Sequence, residues 1–200
     1  FLGEIGRWNG EDIVEIVVRR PATARFICRH LYSFFVSDEP QVPAWKDSPP
    51  RDIEAIMALE NVFTESNYEL RPVLRTLFNS DFFKEARFQK LKSPTEVVVG
   101  TMKLVKDYTE PKPGMNAIMM ETGYMGQELL NPPSVEGWHT GREWIDGGAM
   151  TERINFAVNE VGDASKPGIA SIIEQLNTND SPLPPEEFVD KCLDLIGPLT

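Results

Sequence analysis

Apolar residues recur at helical spacing along most of this chain, and proline or capping residues separate one apolar stretch from the next. Pro21, for example, opens a stretch in which Ala24, Ile27 and Leu31 recur at that spacing. No segment predicts a strand with comparable strength. The pattern therefore predicts an all-α fold, an irregular multi-helix bundle of about seven to nine helices.

The predicted helices have recognisable start signals. Ser93-Pro94-Thr95-Glu96 combines a capping serine, a first-turn proline and a glutamate three residues on, and Ser48-Pro49-Pro50 predicts another start. The first helix, opened by Asn9, has a β-branched run that also fits a strand, but its acidic start and its end at Arg19-Arg20 favour a helix. The predicted helices span approximately residues 9–20, 21–36, 49–63, 70–78, 93–108, 115–130, 150–158, 169–176 and 185–196, with a turn anchored by Phe82-Phe83.

Length and charge limit the possible functions. The chain has 200 residues, enough for one core or for a core with a small appendage. The net charge is −11, and residues 101–200 carry 7 basic and 16 acidic groups. An acidic second half repels phosphate backbones, which argues against nucleic acid as a partner. No apolar run approaches the ~20 residues of a membrane-spanning helix, so we expect no membrane span in this chain.

The segment Asn131–Gly148 interrupts the helical pattern and is rich in proline, glycine and tryptophan. Prolines fix φ, glycines allow sharp turns, and large indoles can hold a long loop in place by burying apolar area. We therefore expect an ordered loop in which Trp138 is mostly buried against the helix that carries Met119 and Met125. The pattern does not decide the burial of Trp144.

The same loop holds the best candidate for a ligand site. Two indoles, an imidazole, a guanidinium and a carboxylate within seven residues can stack on a sugar or another planar ligand and hydrogen-bond its rim. The simpler interpretation is that both tryptophans only anchor the loop. The predicted ligand-binding residues are Trp138, His139, Arg142, Glu143 and Trp144.

Residues for catalysis or metal binding are scarce. The two histidines, His30 and His139, and the two cysteines, Cys28 and Cys192, lack the spacing of zinc ligands. No nucleophile elbow, phosphate-binding loop or dinucleotide fingerprint occurs. We therefore predict no catalytic residue, no metal and no cofactor, and we expect Cys28 to be a buried small hydrophobe.

Several blocks of the chain resemble a known family. The segments Arg20–Phe26 and Leu31–Val36 resemble the PATARFI…FV block of the bacterial family catalogued as domain of unknown function 1800. Leu74–Phe83 and Lys92–Glu96 resemble further blocks of it. The most specific match is Met125–Trp138, which resembles the family's GQxLxxPPxVxGW block.

The resemblance covers roughly residues 1–160, and it is continued by Trp144 and Arg153. It implies a helical fold, frequent export, and genomic company with a sulfatase-like family, but no catalytic mechanism. The family domain is longer, so the chain reads as its C-terminal part, with residues 161–200 as a helical extension packed on it. Arg25 and Arg153 lie in matching blocks, which makes them the first candidates for buried structural salt bridges.

Three functions stay open at this point. The first is an interaction or scaffold domain of an exported or envelope-associated protein that acts with a partner, either the sulfatase-like enzyme or an envelope glycan. The second is part of a hydrolase whose active site is completed by the missing N-terminal half. The third is a carbohydrate-binding surface on the Trp138–Trp144 loop. An enzyme requires a cleft with perturbed titratable groups, whereas a scaffold requires an exposed apolar patch.

Overall fold

The computed structural model describes residues 1–138, 140–176 and 183–196. Within these residues the chain forms ten α-helices and two short 3₁₀ helices and no strand, which confirms the predicted all-α fold. The helices are α1 (Gly10–Val18), α2 (Pro21–Phe35), α3 (Ile53–Glu65), α4 (Leu70–Asn79), α5 (Asp81–Lys84), α6 (Pro94–Val105), α7 (Met115–Tyr124), α8 (Gly147–Val161), α9 (Pro167–Leu176) and α10 (Pro185–Ile196).

The capping signals identify some helix starts correctly and miss one. Ser93 accepts a hydrogen bond from the Glu96 backbone amide, and the Glu96 carboxylate accepts one from the Ser93 amide, which confirms the predicted start of α6. The start predicted at Ser48-Pro49-Pro50 is wrong, because α3 begins at Ile53 and is capped by Asp52. The backbone carbonyls of Ser48 and Pro49 instead accept hydrogen bonds from a buried arginine described below.

Two helices end earlier than the periodicity predicts, and α5 forms where only a turn was expected. Lys106 adopts a φ of 54° directly after α6, and Gly126 adopts a φ of 96° two residues after α7. A positive φ cannot continue a right-handed helix. The apolar residues beyond these points therefore belong to loops, although they extend the helical pattern.

The chain forms two compact units, residues 1–91 and 92–200. In the first unit α2, α3 and α4 pack around a core that includes Cys28, Leu59, Phe63 and Leu77. Cys28 has no exposed surface, so its predicted burial is confirmed. The domain boundary predicted between residues 160 and 161 stays a prediction.

In the second unit α6, α7 and α8 enclose a smaller core of Val98, Ile118, Met125 and Phe156. The methionine of this core is Met125, which directly follows α7. Two methionines within α7, Met119 and Met120, are exposed. α9 packs on α6, and α10 packs on α9. Among the described residues, no helix is both long enough and apolar enough to cross a membrane.

Candidate functional site

The second half of the predicted ligand loop is built into the fold. Gly141–Trp144 forms a 3₁₀ helix, and Trp144 is only 6% exposed. Its ring lies beside Gly126, where a Cβ would be 3.9 Å from Cζ3 of the indole. Asp146 then caps α8 by accepting a hydrogen bond from the Ala149 amide. Trp144 therefore acts as an anchor between the loop and its unit, and its ring is not presented to a ligand.

The first half of the loop is more open. A tight turn, in which the Gly137 amide donates to the Ser134 carbonyl, carries a fully exposed Val135. Trp138 follows and is half-buried. Its indole Nε1–H is shielded from solvent and has no hydrogen-bond acceptor among the described residues. Of the two indoles, Trp144, whose burial the sequence left undecided, is the more deeply buried. Packing of Trp138 against the helix that carries Met119 stays a prediction.

The five predicted ligand residues do not form one exposed aromatic platform. Arg142 and Glu143 lie at the surface, whereas Trp144 is buried. His139 lies outside the described residues. A ligand-binding role for this set stays a prediction, and within the described part of the chain the geometry favours the anchoring interpretation for Trp144.

The two arginines of the family blocks, Arg25 and Arg153, do not form buried ion pairs within the described residues. Arg25 pairs with Glu60 (Nε to Oε1, 2.9 Å), but its side chain is mostly exposed. Arg153 is half-buried and donates to the Lys92 carbonyl, while its Nε and Nη2 have no partner among the described residues. Burial lowers the pKa of the Arg153 guanidinium. The expectation of buried salt bridges at Arg25 and Arg153 is therefore wrong; the buried pair is Arg29–Glu39.

Four phenylalanines of the first unit form a continuous row of rings, which we call the phenylalanine row: Phe34, Phe35, Phe78 and Phe83. Successive ring centroids are 4.7, 5.0 and 5.3 Å apart, and each pair meets edge to face. Phe35 and Phe83 pack against the core, whereas Phe34 is 71% exposed and Phe78 is 41% exposed. Sequence reasoning missed this row, although two adjacent phenylalanines at the end of an amphipathic helix point one ring away from the core.

Two arginines adjoin the phenylalanine row on α4. Arg71, Arg75 and Phe78 are spaced i, i+4 and i+7, which places them on one face of the helix, and all three are exposed. Neither arginine has an ion pair within the part of the chain that the structure describes. Two guanidiniums of α4 therefore face solvent beside exposed aromatic rings.

A second feature of the first unit is a groove along α2, which we call the Trp45 groove and which is bordered by the segment Val42–Lys46 and, at one end, by α3. It has two hollows, of about 410 and 470 Å³, that share Arg25, Arg29, Trp45 and Lys46. Trp45 belongs to the 3₁₀ helix Val42–Lys46. Its ring lies 4.6 Å from the ring of His30 and 5.7 Å from that of Phe26, centroid to centroid.

The Trp45 groove is held in place by buried polar contacts. The indole Nε1 of Trp45 donates to the Pro40 carbonyl, and the Arg29 guanidinium lies over the indole ring at 4.6 Å. Arg29 also bonds the carbonyls of Ser48 and Pro49, which form the edge of one hollow. Its charge is balanced by Glu39. This side of the unit is therefore pre-organised, a property that sequence reasoning did not predict because the contacts join residues far apart in the chain.

The described residues contain no candidate metal centre, and two titratable groups of α2 have pKa values shifted toward their uncharged forms. No group of three or more histidine, cysteine, aspartate or glutamate side chains there is placed to hold a metal ion. Burial, with a smaller contribution from the carboxylate of Glu60, raises the pKa of the Cys28 thiol to about 12. Burial also lowers the pKa of His30. Cys28 is thus protonated at neutral pH, which removes its nucleophilic form.

Residues 1–197 match the family described as protein of unknown function (DUF1800). The match covers nearly the whole chain, including α9 and α10, and the chain therefore belongs to this family. No curated protein and no solved structure gives a significant match.

Proposed function

We propose that this member of the family is a helical interaction domain that binds a partner protein through the phenylalanine row. The observation that carries the proposal is the exposure of Phe34 and Phe78 in a row whose other two rings are partly buried against the core. Large exposed aromatic side chains are unfavourable in water, and contiguous apolar patches of this kind mark interaction sites.

The geometry of the row suits a binding hot spot. Phe78 is held between Phe35 and Phe83 by edge-to-face contacts, so binding costs little side-chain entropy at this ring. Aromatic anchors that are already ordered contribute most of the energy in many interfaces. Arg71 and Arg75 lie on the same helix face and favour a partner surface that carries carboxylates.

The family resemblance suggests where the partner is to be sought. An exported protein that acts beside a sulfatase-like enzyme would meet that enzyme, or another envelope protein, outside the cytoplasm. On this proposal the chain contributes binding and positioning, and any chemistry resides in the partner.

The test is affinity capture from the native host with the full-length protein, followed by cross-linking and identification of the linked residues. We expect one partner whose cross-links cluster around the phenylalanine row. Replacing Phe34 and Phe78 together by serine should reduce its capture at least tenfold, because two exposed anchors are lost while the core rings remain.

A matched control is Phe188→Ser, which removes from α10 in the second unit a phenylalanine that is 46% exposed, close to the 41% of Phe78. Capture that is equal for the wild type, the Phe34/Phe78 variant and the Phe188 variant would contradict the proposal. Cross-links confined to the second unit would contradict it as well.

A further inference from the structure

We infer that the Trp45 groove binds a neutral sugar ring of an oligosaccharide. The inference does not depend on the phenylalanine row, which is formed by other residues. It rests on the shape of the groove, on the apolar character of its walls, and on the balance of charge at its rim.

The shape and rigidity of the groove suit a small ligand. Each hollow is in the size range of small-molecule sites, and the two are joined through Arg25 and Trp45. Trp45 is held by its hydrogen bond to Pro40 and by the Arg29 guanidinium. A ligand therefore meets a wall that is already formed, which reduces the entropic cost of binding.

The walls are apolar on both sides of Trp45. Ile53 and Met57 of α3 line one hollow, and Phe26 and Val42 line the other. Phe26, Ile53 and Met57 are each about half exposed, so their side chains are accessible to a ligand. Such walls require a ligand with an apolar face, and the carbon–hydrogen face of a pyranose is one that packs well against aromatic side chains.

The rim charges favour a neutral ligand. Each cation at the rim lies beside a carboxylate: Arg29 pairs with Glu39, Arg25 with Glu60 and Lys46 with Asp47. Both Asp47 and Glu60 line the hollow beside α3. An anionic ligand would be repelled by the carboxylates and a cationic ligand by the arginine and lysine.

The rim groups are instead matched to hydroxyl groups. Arg25 and Lys46 can only donate hydrogen bonds, and Asp47 and Glu60 accept them when ionised. The Arg25 side chain is 64% exposed and uses Nε for Glu60, so its terminal nitrogens are accessible. A hydroxyl both donates and accepts. A ring that carries several hydroxyls satisfies both kinds of rim group, whereas an apolar peptide side chain satisfies neither.

The inference is tested by isothermal titration calorimetry of the whole chain with four neutral tetrasaccharides: cellotetraose, maltotetraose, xylotetraose and chitotetraose. Tetragalacturonate serves as the anionic comparison. We expect saturable binding of at least one neutral sugar, with a Kd on the order of 0.1–5 mM, equivalent to a few kcal/mol. Tetragalacturonate should bind more weakly than that sugar.

Two groove variants locate the site. Met57→Arg places a long cation in one hollow and unbalances the rim, and it should weaken binding at least tenfold. Arg25→Gln replaces the charged guanidinium that lines both hollows by a shorter, neutral amide with fewer donors, and it should weaken binding severalfold. Both side chains are largely exposed, so circular dichroism melts should resemble those of the parent.

The control variant is Trp8→Ala, which removes an exposed indole outside the groove. It should bind as the parent does. The inference is overturned if no neutral sugar binds, if both groove variants bind like the parent, or if tetragalacturonate binds best. Phe34 and Phe78 are intact in every groove variant, so a variant that loses sugar binding should still capture the partner protein. The sugar-binding inference and the proposed partner binding can therefore fail independently of each other.

Discussion

The guanidinium of Arg29 and the carboxylate of Glu39 form a buried ion pair, with Nη2 2.6 Å from Oε2 and side chains only 3% and 0% exposed. Glu39 also accepts a hydrogen bond from the Arg51 amide, and Arg29 bonds two backbone carbonyls. One pair thus fixes the long connection between α2 and α3 to the side of α2, where it shapes the Trp45 groove.

Glu39→Gln should destabilise the first unit by about 3–5 kcal/mol, because the Arg29 charge is left buried without a counter-ion. The measurement is urea unfolding followed by tryptophan fluorescence. The control is Arg25→Gln, which breaks the exposed pair with Glu60 and should cost less than about 1 kcal/mol. Equal losses for the two variants would show that the burial of the pair is unimportant.

Gly168→Ala should destabilise the second unit by about 1–3 kcal/mol or more, as overpacking does. A Cβ at Gly168 would lie 1.9 Å from the Leu104 carbonyl oxygen and 2.8 Å from the Val105 carbonyl carbon, so α9 would have to move away from α6. Gly100→Ala is the matched control: its Cβ meets nothing within 4 Å in mid-helix α6, and helix propensity should stabilise it by up to about 1 kcal/mol. If the melting temperatures of Gly168→Ala and Gly100→Ala shift in the same direction, the close contact between α9 and α6 at Gly168 is contradicted.

The helices could be predicted from the sequence where local physics decides the outcome. The capping box at Ser93 and the prolines at Pro21 and Pro185 mark helix starts because they satisfy or avoid the unpaired amides of the first turn. The same reasoning failed at Ser48, because a distant guanidinium takes the backbone carbonyls there. The local signal for a helix start at Ser48 was therefore outweighed by the hydrogen bonds to Arg29, which form only in the folded chain.

The surfaces with functional potential were less predictable. The composition of the tryptophan-rich loop predicted a ligand site, yet one of its two indoles, that of Trp144, is buried in the fold. The phenylalanine row and the Trp45 groove combine residues from different helices, and periodicity in one helix does not reveal which neighbour it meets. Periodicity identifies an apolar face, but it cannot show whether another element covers that face.

Cys28 should resist thiol reagents in the native protein while Cys192 reacts. Cys28 is fully buried and its pKa is raised to about 12, so at pH 8 only about one thiol in ten thousand is ionised even if reagent reaches it. Cys192 is partly exposed. Ellman's reagent should therefore label one thiol per native chain and two in guanidinium chloride.

Cys192→Ser should abolish the native labelling, and Cys28→Ser should leave it intact. Two fast-reacting thiols in the native wild type would mean that α2 opens readily from its core. Raising the pH from 7 to 9 should leave Cys28 unreactive, since its pKa lies well above this range.

The two loop tryptophans should differ in their contribution to stability. Trp144→Ala removes an indole that is 6% exposed and should cost about 3–5 kcal/mol, as large truncations in cores do. Trp138 is only half-buried, so Trp138→Ala should cost less than half as much. Its Nε1–H is also shielded without an acceptor among the described residues, and an unsatisfied donor of this kind is itself destabilising by about 1–3 kcal/mol.

Trp138→Phe distinguishes these contributions, because phenylalanine keeps much of the apolar ring and lacks the N–H. It should unfold at the same denaturant concentration as the parent or at a slightly higher one, whereas Trp144→Phe should lose stability because buried area is removed and a cavity is left. Denaturant unfolding followed by circular dichroism measures both. If Trp138→Phe is as destabilising as Trp144→Phe, then the Trp138 indole N–H is bonded in solution, and the first half of the loop is as firmly anchored as the second.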